Sequence, residues 1–270
     1  MLKEPWNAVM PSFQLFGNIY FVGTAPASVH LIDTGEGLIL LDTGYQETLY
    51  LVLESIRRCG FDPQEIRCIV HSHGHIDHAG ATRALVELTH AETFIGEGDL
   101  DMVTGGNALS YAPEYHMTLA AFQPDHLLHD GDRITLGNVT MECVATPGHT
   151  PGVFSFFWSV STNGRIYRAG TMGGAGINTL ETSYIRKYHL ERKDWRGAFR
   201  RSLERCRKEH VDIFIGNHAD QNRTAEKYQE LIAGNTQAFH VPAEWNSFLD
   251  SCQANLDALE AGDPLERNRK

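Results

Sequence analysis

Short apolar runs separated by glycines and turn residues dominate the first seventy positions. Strands are predicted at 12–16, 18–22, 29–32 and 38–41, because each run is rich in branched or aromatic side chains. The apolar spacing changes to a helical period over 47–59, which predicts a helix that ends near Gly60. A buried strand at 67–70 and a helix at 80–89 complete this half.

A second series of elements follows a stretch of weak periodicity at 103–125, which predicts a long loop. Strands are predicted at 134–136, 140–145, 153–159, 165–169 and 212–215, and helices at 195–209, 225–232 and 245–259. Two β-rich halves, each trailing helices, favour an α/β fold: two mixed sheets packed face to face with helices outside, a four-layer αββα sandwich. We expect a single domain over 1–270, built from halves at about 1–125 and 126–262, with a frayed tail at 263–270.

Composition and charge exclude several partner classes. Apolar residues make up 42% and charged residues 21% of the chain, as in ordinary globular proteins. The net charge of −11 disfavours nucleic acid or an anionic membrane as the partner. No apolar run is long enough for a membrane-spanning helix, and the start lacks a signal-peptide core. The sequence as written predicts a cytoplasmic protein, or a periplasmic or secreted one if a leader has been removed. It carries no signal for an oligomeric state.

The five cysteines show no C-x-x-C motif and no disulfide-framework spacing, which predicts reduced and mostly buried thiols. The exception is Cys206 with Cys252. Each lies on a predicted helix, and the two could pair in an exported protein.

The most specific chemical signal is His-Ser-His-Gly-His-Ile-Asp-His-Ala-Gly at 71–80, which contains H-x-H-x-D-H. Buried imidazoles need partners for their nitrogens, and imidazole nitrogen and carboxylate oxygen are natural zinc ligands. In an extended segment His73 and His75 point the same way and can chelate one metal. Asp77 and His78 follow where the chain turns into a helix, and they can serve a second metal about 3.5–4 Å away. The alternatives are a metal-free cluster of histidines whose nitrogens are hydrogen-bonded within the protein, and a single structural zinc, although structural zinc sites are usually rich in cysteine.

Two later histidines are candidates to complete the metal sites. His149 lies in a rigid Thr-Pro-Gly-His-Thr-Pro-Gly turn at 146–152, and His218 directly follows an apolar strand.

Together, the H-x-H-x-D-H motif, the Pro-Gly-His-Thr turn and the late strand-end histidine resemble the metallo-β-lactamase superfamily over most of the chain. The segments 6–7, 18–24 and 40–44 are most similar to the third subclass of these lactamases. The resemblance implies two Zn²⁺ ions per chain, the first held by three histidines and the second by an aspartate and two histidines. By motif these are His73, His75 and His149, and then Asp77, His78 and His218. Asp42 would support the ligand loop from behind.

One position separates the chain from other branches of the superfamily. Glyoxalase II and acyl-homoserine lactonases carry a bridging aspartate in a Gly-Asp pair, where this chain has Gly170 and Thr171. A neutral hydroxyl is a poor bridging ligand, and the cysteine of the first lactamase subclass is also absent. This departure agrees with the third subclass.

The resemblance implies a zinc-dependent hydrolase that cleaves an amide or ester-like bond of a small molecule with a metal-bound hydroxide oriented by Asp77. β-Lactam hydrolysis is the leading activity. Because no signal peptide is seen, the alternative is an intracellular lactone or thioester hydrolase with little β-lactamase activity. A non-haem iron oxidoreductase on the same fold and a non-enzymatic zinc module are further hypotheses.

Other residues are weaker candidates for the site. We expect His71 to end a strand outside the cluster. Aromatic residues that could line a substrate cleft, or simply pack locally, are Tyr111, Tyr115, His116, Tyr184 and Tyr188. The basic residues nearest by position for a substrate carboxylate are Arg168, Arg186 and Lys187.

Overall fold

The computed structural model describes residues 4–105 and 108–263. Within these ranges, seven strands form a mixed sheet whose spatial order follows the chain. The first four strands pair antiparallel and the remaining neighbours pair parallel. The strands are β1 (Phe13–Phe16), β2 (Ile19–Phe21), β3 (His30–Asp33), β4 (Leu38–Leu41), β5 (Ile66–Val70), β6 (Glu92–Gly96) and β7 (His126–Leu128).

The described residues form a second sheet of five strands, in the order β12-β11-β10-β9-β8. Its neighbours are antiparallel except for the parallel pair β11–β12. The strands are β8 (Arg133–Leu136), β9 (Val139–Ala145), β10 (Phe154–Thr162), β11 (Arg165–Thr171) and β12 (Ile213–Phe214).

Helices cover the outer faces of both sheets. Helices α1 (Leu49–Arg58) and α3 (Thr82–Thr89) pack on the first sheet, and α6 (Trp195–Cys206) and α8 (Pro242–Gly262) pack on the second. The remaining helices are α2 (Ile76–Ala79), α4 (Leu100–Val103), α5 (Thr182–Lys187) and α7 (Thr224–Ile232). No helix in the described ranges is both long enough and apolar enough to span a membrane.

Alternation along the strands explains the four layers. In β4, Ile39 and Leu41 enter the core between the sheets, whereas Leu38 and Leu40 pack under the helices. Successive side chains of a strand point to opposite faces, so an all-apolar strand is buried on both sides. This arrangement confirms the predicted αββα fold.

The predicted elements are largely present, but the structure also contains four elements that were not predicted. These are strands β6 and β7 and helices α4 and α5, which are short and carry exposed polar residues. The loop predicted at 103–125 contains no strand in its described part, residues 103–105 and 108–125, and only its first residue belongs to a helix, α4. The single domain remains a prediction.

The predicted frayed tail lies mostly outside the described residues, at 264–270. Its first residue, Asp263, is held: its carboxylate accepts hydrogen bonds from the Thr182 backbone N–H at 2.7 Å and from Arg196 at 3.2 Å.

The five cysteines, all in the described ranges, are free thiols. Cys206 on α6 and Cys252 on α8 are both buried, and they form no disulfide. Burial raises the pKa of each thiol to about 12, so both are poor nucleophiles.

Candidate metal centre

The six predicted ligands meet at one edge of the sandwich, where strands of both sheets end. The segment 71–75 follows β5, and the single turn of α2 carries Asp77 and His78. His149 lies between β9 and β10, and His218 lies just after β12. Loops at strand ends on a rigid sheet are where α/β enzymes commonly place functional groups.

The first cluster consists of three buried histidines. His75 Nδ1 lies 3.1 Å from His73 Nε2 and 3.0 Å from His149 Nε2. Tetrahedral zinc with nitrogen ligands at about 2.0–2.1 Å separates those nitrogens by about 3.3 Å. These three side chains are therefore close enough to hold one metal ion.

The second cluster lies beside the first. Asp77 Oδ2 is 3.3 Å from His78 Nε2 and 3.5 Å from His218 Nε2, and the two Nε2 atoms are 3.3 Å apart. His73 has a nitrogen within 4.8 Å of the ligand atoms of Asp77 and His78. The two clusters are thus near enough for adjacent metals.

Backbone carbonyls behind the first cluster set the tautomers of its histidines. His73 Nδ1 donates to the Gly173 carbonyl at 2.8 Å, and His149 Nδ1 donates to the Gly176 carbonyl at 2.7 Å. Because a carbonyl can only accept, each neutral ring leaves a lone pair on Nε2. Those lone pairs converge on Nδ1 of His75. The other ring nitrogen of His75, Nε2, is buried and has no hydrogen-bond partner among the described residues.

The second cluster is built in the same way. His78 Nδ1 donates to Asp42 Oδ2 at 2.8 Å, and His218 Nδ1 donates to the Pro26 carbonyl at 3.1 Å. In the neutral forms that metal ligation requires, both rings then present Nε2 to the Asp77 carboxylate as acceptors. Three acceptors at such distances repel one another unless a cation lies among them, so the donor set fits a metal ion.

Burial controls the charge of most of these groups. Burial, reinforced by neighbouring histidines, holds the pKa of His73 and His75 well below the usual range, and burial lowers that of His149 to about 4. These rings are neutral at pH 7, as zinc ligation requires.

Asp77 and His78 respond to each other's charge. Burial alone would raise the pKa of Asp77, but His78 and the other histidines outweigh it and hold that pKa below the usual range. Burial would lower the pKa of His78, but the carboxylates of Asp77 and Asp42 raise it to about 10. The two carboxylates therefore favour positive charge at the place a metal would occupy.

Comparison with known proteins agrees with this geometry. A sequence profile of the metallo-beta-lactamase superfamily matches residues 22–218. The chain belongs to this superfamily.

Similar solved structures include BJP-1, a subclass B3 metallo-beta-lactamase of Bradyrhizobium japonicum. It has a TM-score of 0.84 and 26% identity, over 97% of this chain and 98% of that one. LRA-12, a class B3 di-zinc metallo-beta-lactamase from an Alaskan soil metagenome, has a TM-score of 0.83 and 25% identity, over 96% and 97%. Among curated proteins, the N-acyl homoserine lactonase AiiA of Bacillus thuringiensis subsp. kurstaki is 22% identical over 77% of this chain and 87% of its own.

These findings confirm the resemblance to the third, or B3, subclass and the predicted fold. They also indicate a zinc-dependent hydrolase, as the sequence predicts.

Asp42 lies where the superfamily resemblance places it, behind the ligand loop. Its Oδ1 accepts from the Ser72 backbone N–H at 2.7 Å, and its Oδ2 accepts from the Ser72 hydroxyl at 2.7 Å and from His78. Its φ of 60° is in the left-handed region that non-glycine residues rarely adopt. The carboxylate thus fixes both the loop backbone and one predicted ligand, His78.

Sequence reasoning missed Asp99, a fully buried carboxylate next to the metal centre. It accepts hydrogen bonds from the backbone N–H groups of Gly74 and Gly152 and from the Thr150 hydroxyl. Burial raises its pKa to about 6 against the opposing effect of these bonds. The sequence held one local signal: the segment Gly-Glu-Gly-Asp at 96–99 starts at the last residue of β6 and places an aspartate just after a strand end.

A cavity of about 660 Å³ opens in front of both clusters. Tyr111 and Tyr115 line it from the long loop, and the Tyr111 ring lies 5.2 Å from that of His75. Tyr184 stacks behind Tyr111 at 5.6 Å and lines a small neighbouring pocket. His116 and Tyr188 do not line the cavity.

The basic residues expected to bind a substrate carboxylate lie elsewhere. Arg168 pairs with Glu142, Lys187 lies 2.8 Å from Glu114, and Arg186 does not line the cavity either. Among the described residues, Arg223 is the one lysine or arginine that lines it.

His71 and Thr171 remain outside both clusters. His71 Nδ1 bonds to the Phe94 carbonyl at 2.9 Å and its Nε2 to the Thr82 hydroxyl at 2.7 Å, as expected of a strand-end residue. The hydroxyl of Thr171 is buried without a hydrogen-bond partner in the described ranges.

Proposed function

We propose that this protein is a di-zinc β-lactam hydrolase. One zinc would be held by His73, His75 and His149, and the other by Asp77, His78 and His218. The observation that carries the proposal is the pair of adjacent ligand clusters, with neighbouring ligand atoms 3.0–3.5 Å apart, at the base of a cavity of about 660 Å³.

Bound zinc would lower the pKa of a water molecule and polarise the carbonyl group to be cleaved. The chain's own contribution centres on Asp77, whose side chain is 13% exposed beside the 35% exposed His218. We assign Asp77 as the catalytic residue: its carboxylate accepts a hydrogen bond from the attacking water and orients it. Tyr111 and Tyr115 narrow the approach and reduce access of bulk water.

Two observations support a β-lactam as the substrate. Several similar structures of at least 25% identity are β-lactamases by name. Arg223 also lines the cavity, and no ion pair of its guanidinium occurs among the described residues. Penicillins and cephalosporins carry a carboxylate beside the reacting ring, whereas acyl-homoserine lactones are neutral.

A lactone or thioester hydrolase is the second candidate. The observation that favours it is the similarity to N-acyl homoserine lactonases, which spans 77% of this chain. Thr171 weakens it, since the bridging aspartate that the resemblance associates with lactonases is replaced by a hydroxyl.

Initial rates of zinc-loaded protein on nitrocefin, an acyl-homoserine lactone and a glutathione thioester separate the candidates. We expect nitrocefin turnover with kcat/KM at least about 100-fold above the other two. Asp77→Asn should lower kcat by about 10²–10⁴-fold. Asp101→Asn, which changes an exposed aspartate of α4 outside the cavity lining, is the matched control and should leave the rate unchanged. Faster turnover of the lactone or thioester, or an active Asp77→Asn variant, would contradict the proposal.

A further inference from the structure

The carboxylate of Asp99 joins the two loops that carry the first histidine cluster. Its Oδ2 accepts from the Gly74 backbone N–H at 2.8 Å and from the Thr150 hydroxyl at 2.6 Å, and its Oδ1 accepts from the Gly152 backbone N–H at 2.7 Å. Gly74 lies between His73 and His75. Thr150 directly follows His149, and Gly152 lies three positions after it.

The surroundings of Asp99 leave little freedom for either loop. A Cβ atom at Gly152 would lie 2.5 Å from the Asp99 nitrogen and 2.7 Å from its Cγ, and one at Gly74 would lie 3.1 Å from the Asp99 Cβ. On the other side, a Cβ atom at Gly98 would lie 2.6 Å from the Pro151 carbonyl carbon. Glycines at these points let three backbone segments close directly onto the carboxylate.

The bonds of Asp99 are selective for one cluster. Gly74 is flanked by His73 and His75, Thr150 is adjacent to His149, and none of the three bonded residues is adjacent to Asp77, His78 or His218. The second cluster has its own support from Asp42 and the Pro26 carbonyl. A buried carboxylate that accepts three hydrogen bonds holds its partners more firmly than a neutral acceptor does.

We propose that Asp99 is a positioning residue that sets the spacing of His73 and His75 relative to His149, and thereby the zinc affinity of the first site alone. The inference rests on the ligand assignment of the proposed function, but not on the substrate.

Zinc affinity in two single-site backgrounds tests this inference. His218→Ala weakens the second site and leaves the first, whereas His149→Ala does the reverse. Zinc dissociation constants are then measured by competition with a chromophoric chelator, with and without Asp99→Asn. The Gly74 and Gly152 N–H groups bond to different carboxylate oxygens of Asp99, whereas an asparagine has a single acceptor oxygen. One of these two N–H groups therefore loses its partner in the variant. We expect about 10–100-fold weaker zinc binding in the His218→Ala background and a change below about 3-fold in the His149→Ala background.

Asp125→Asn is the matched control, because Asp125 also accepts from a backbone N–H and a threonine hydroxyl, both of Thr93. It should leave both affinities unchanged. If Asp99→Asn does not fold, Thr150→Val removes one of the three bonds and should give the same selectivity with a smaller change.

Equal weakening in both backgrounds, or none in the His218→Ala background, would overturn the inference, as would absence of zinc binding by the unaltered chain. Selective weakening in a protein that does not hydrolyse β-lactams would support Asp99 as the positioning residue and contradict only the proposed substrate.

Discussion

At the scale of single residues, the hydrogen bond behind each histidine decides which ring nitrogen faces the cavity. Three backbone carbonyls and the Asp42 carboxylate each accept from an Nδ1–H group, which directs four Nε2 lone pairs to the same place. This preorganisation lets neutral rings lie together in a buried site with their ligand atoms already aimed.

Arg223 provides a prediction about substrate charge. Replacing it by glutamine removes the cation and shortens the side chain, but leaves a polar group at this left-handed position. We expect KM for a penicillin to rise about 10-fold with kcat nearly unchanged, because the lost contact is the same in ground and transition states. The methyl ester of that penicillin should show no such change. Arg192→Gln, an exposed arginine outside the cavity lining, is the control, and equal effects on acid and ester would refute the role.

His30 provides a prediction about pH. Burial lowers its pKa to about 4 from an ordinary 6.5, so the folded state disfavours its proton. Its contribution to stability is therefore present above pH 6.5 and is lost as the pH falls toward 4. Between pH 7.5 and 5.5 the loss is about 1 kcal/mol. Urea unfolding of the zinc-saturated protein should show that His30→Leu loses less stability than the unaltered chain over this range. An equal loss of stability in the two proteins over this pH range would contradict the assignment of the pH dependence to His30.

At the scale of elements, alternation and period predicted most strands and helices, because burial on a sheet face leaves a local pattern. The pattern of β4 and the helical spacing of α1 are examples. The site was harder to predict, because its contacts join residues that are distant in sequence. His149 contacts His75, 74 positions away, and His218 contacts His78, 140 positions away. Residue type indicated a metal, but the pairing of ligands came from the family resemblance. Asp99 was missed because no local period marks a carboxylate whose partners lie 25 to 53 positions away.

Helices α7 and α8 are joined by a buried ion pair between Lys227 and Glu244. Burial lowers the pKa of Lys227, and Glu244 opposes that shift. Glu244→Gln should destabilise the protein by about 3 kcal/mol, because a buried ammonium then lacks its anion. The double variant Lys227→Met with Glu244→Leu should recover most of the loss. Urea unfolding measures both, and a single variant within about 0.5 kcal/mol of the unaltered chain would contradict the role of the pair.

At the scale of the whole molecule, the shared core between the two sheets fixes the distance between their loop-bearing edges. Ile39 and Leu41 of β4 and Phe156 and Trp158 of β10 are buried in this core. The two candidate ligand clusters, which combine residues from both halves, therefore depend on the same packing that holds the sandwich together. The cavity, with one arginine and two tyrosines at its walls, opens directly onto those clusters.

The most direct test of the central claim is a titration of metal-free protein with zinc while nitrocefin hydrolysis is recorded against the number of zinc ions bound per chain. We predict that the rate rises with zinc and reaches its plateau at two ions per chain. A plateau at one ion, or a fully zinc-loaded protein without β-lactam turnover, would contradict a di-zinc β-lactam hydrolase.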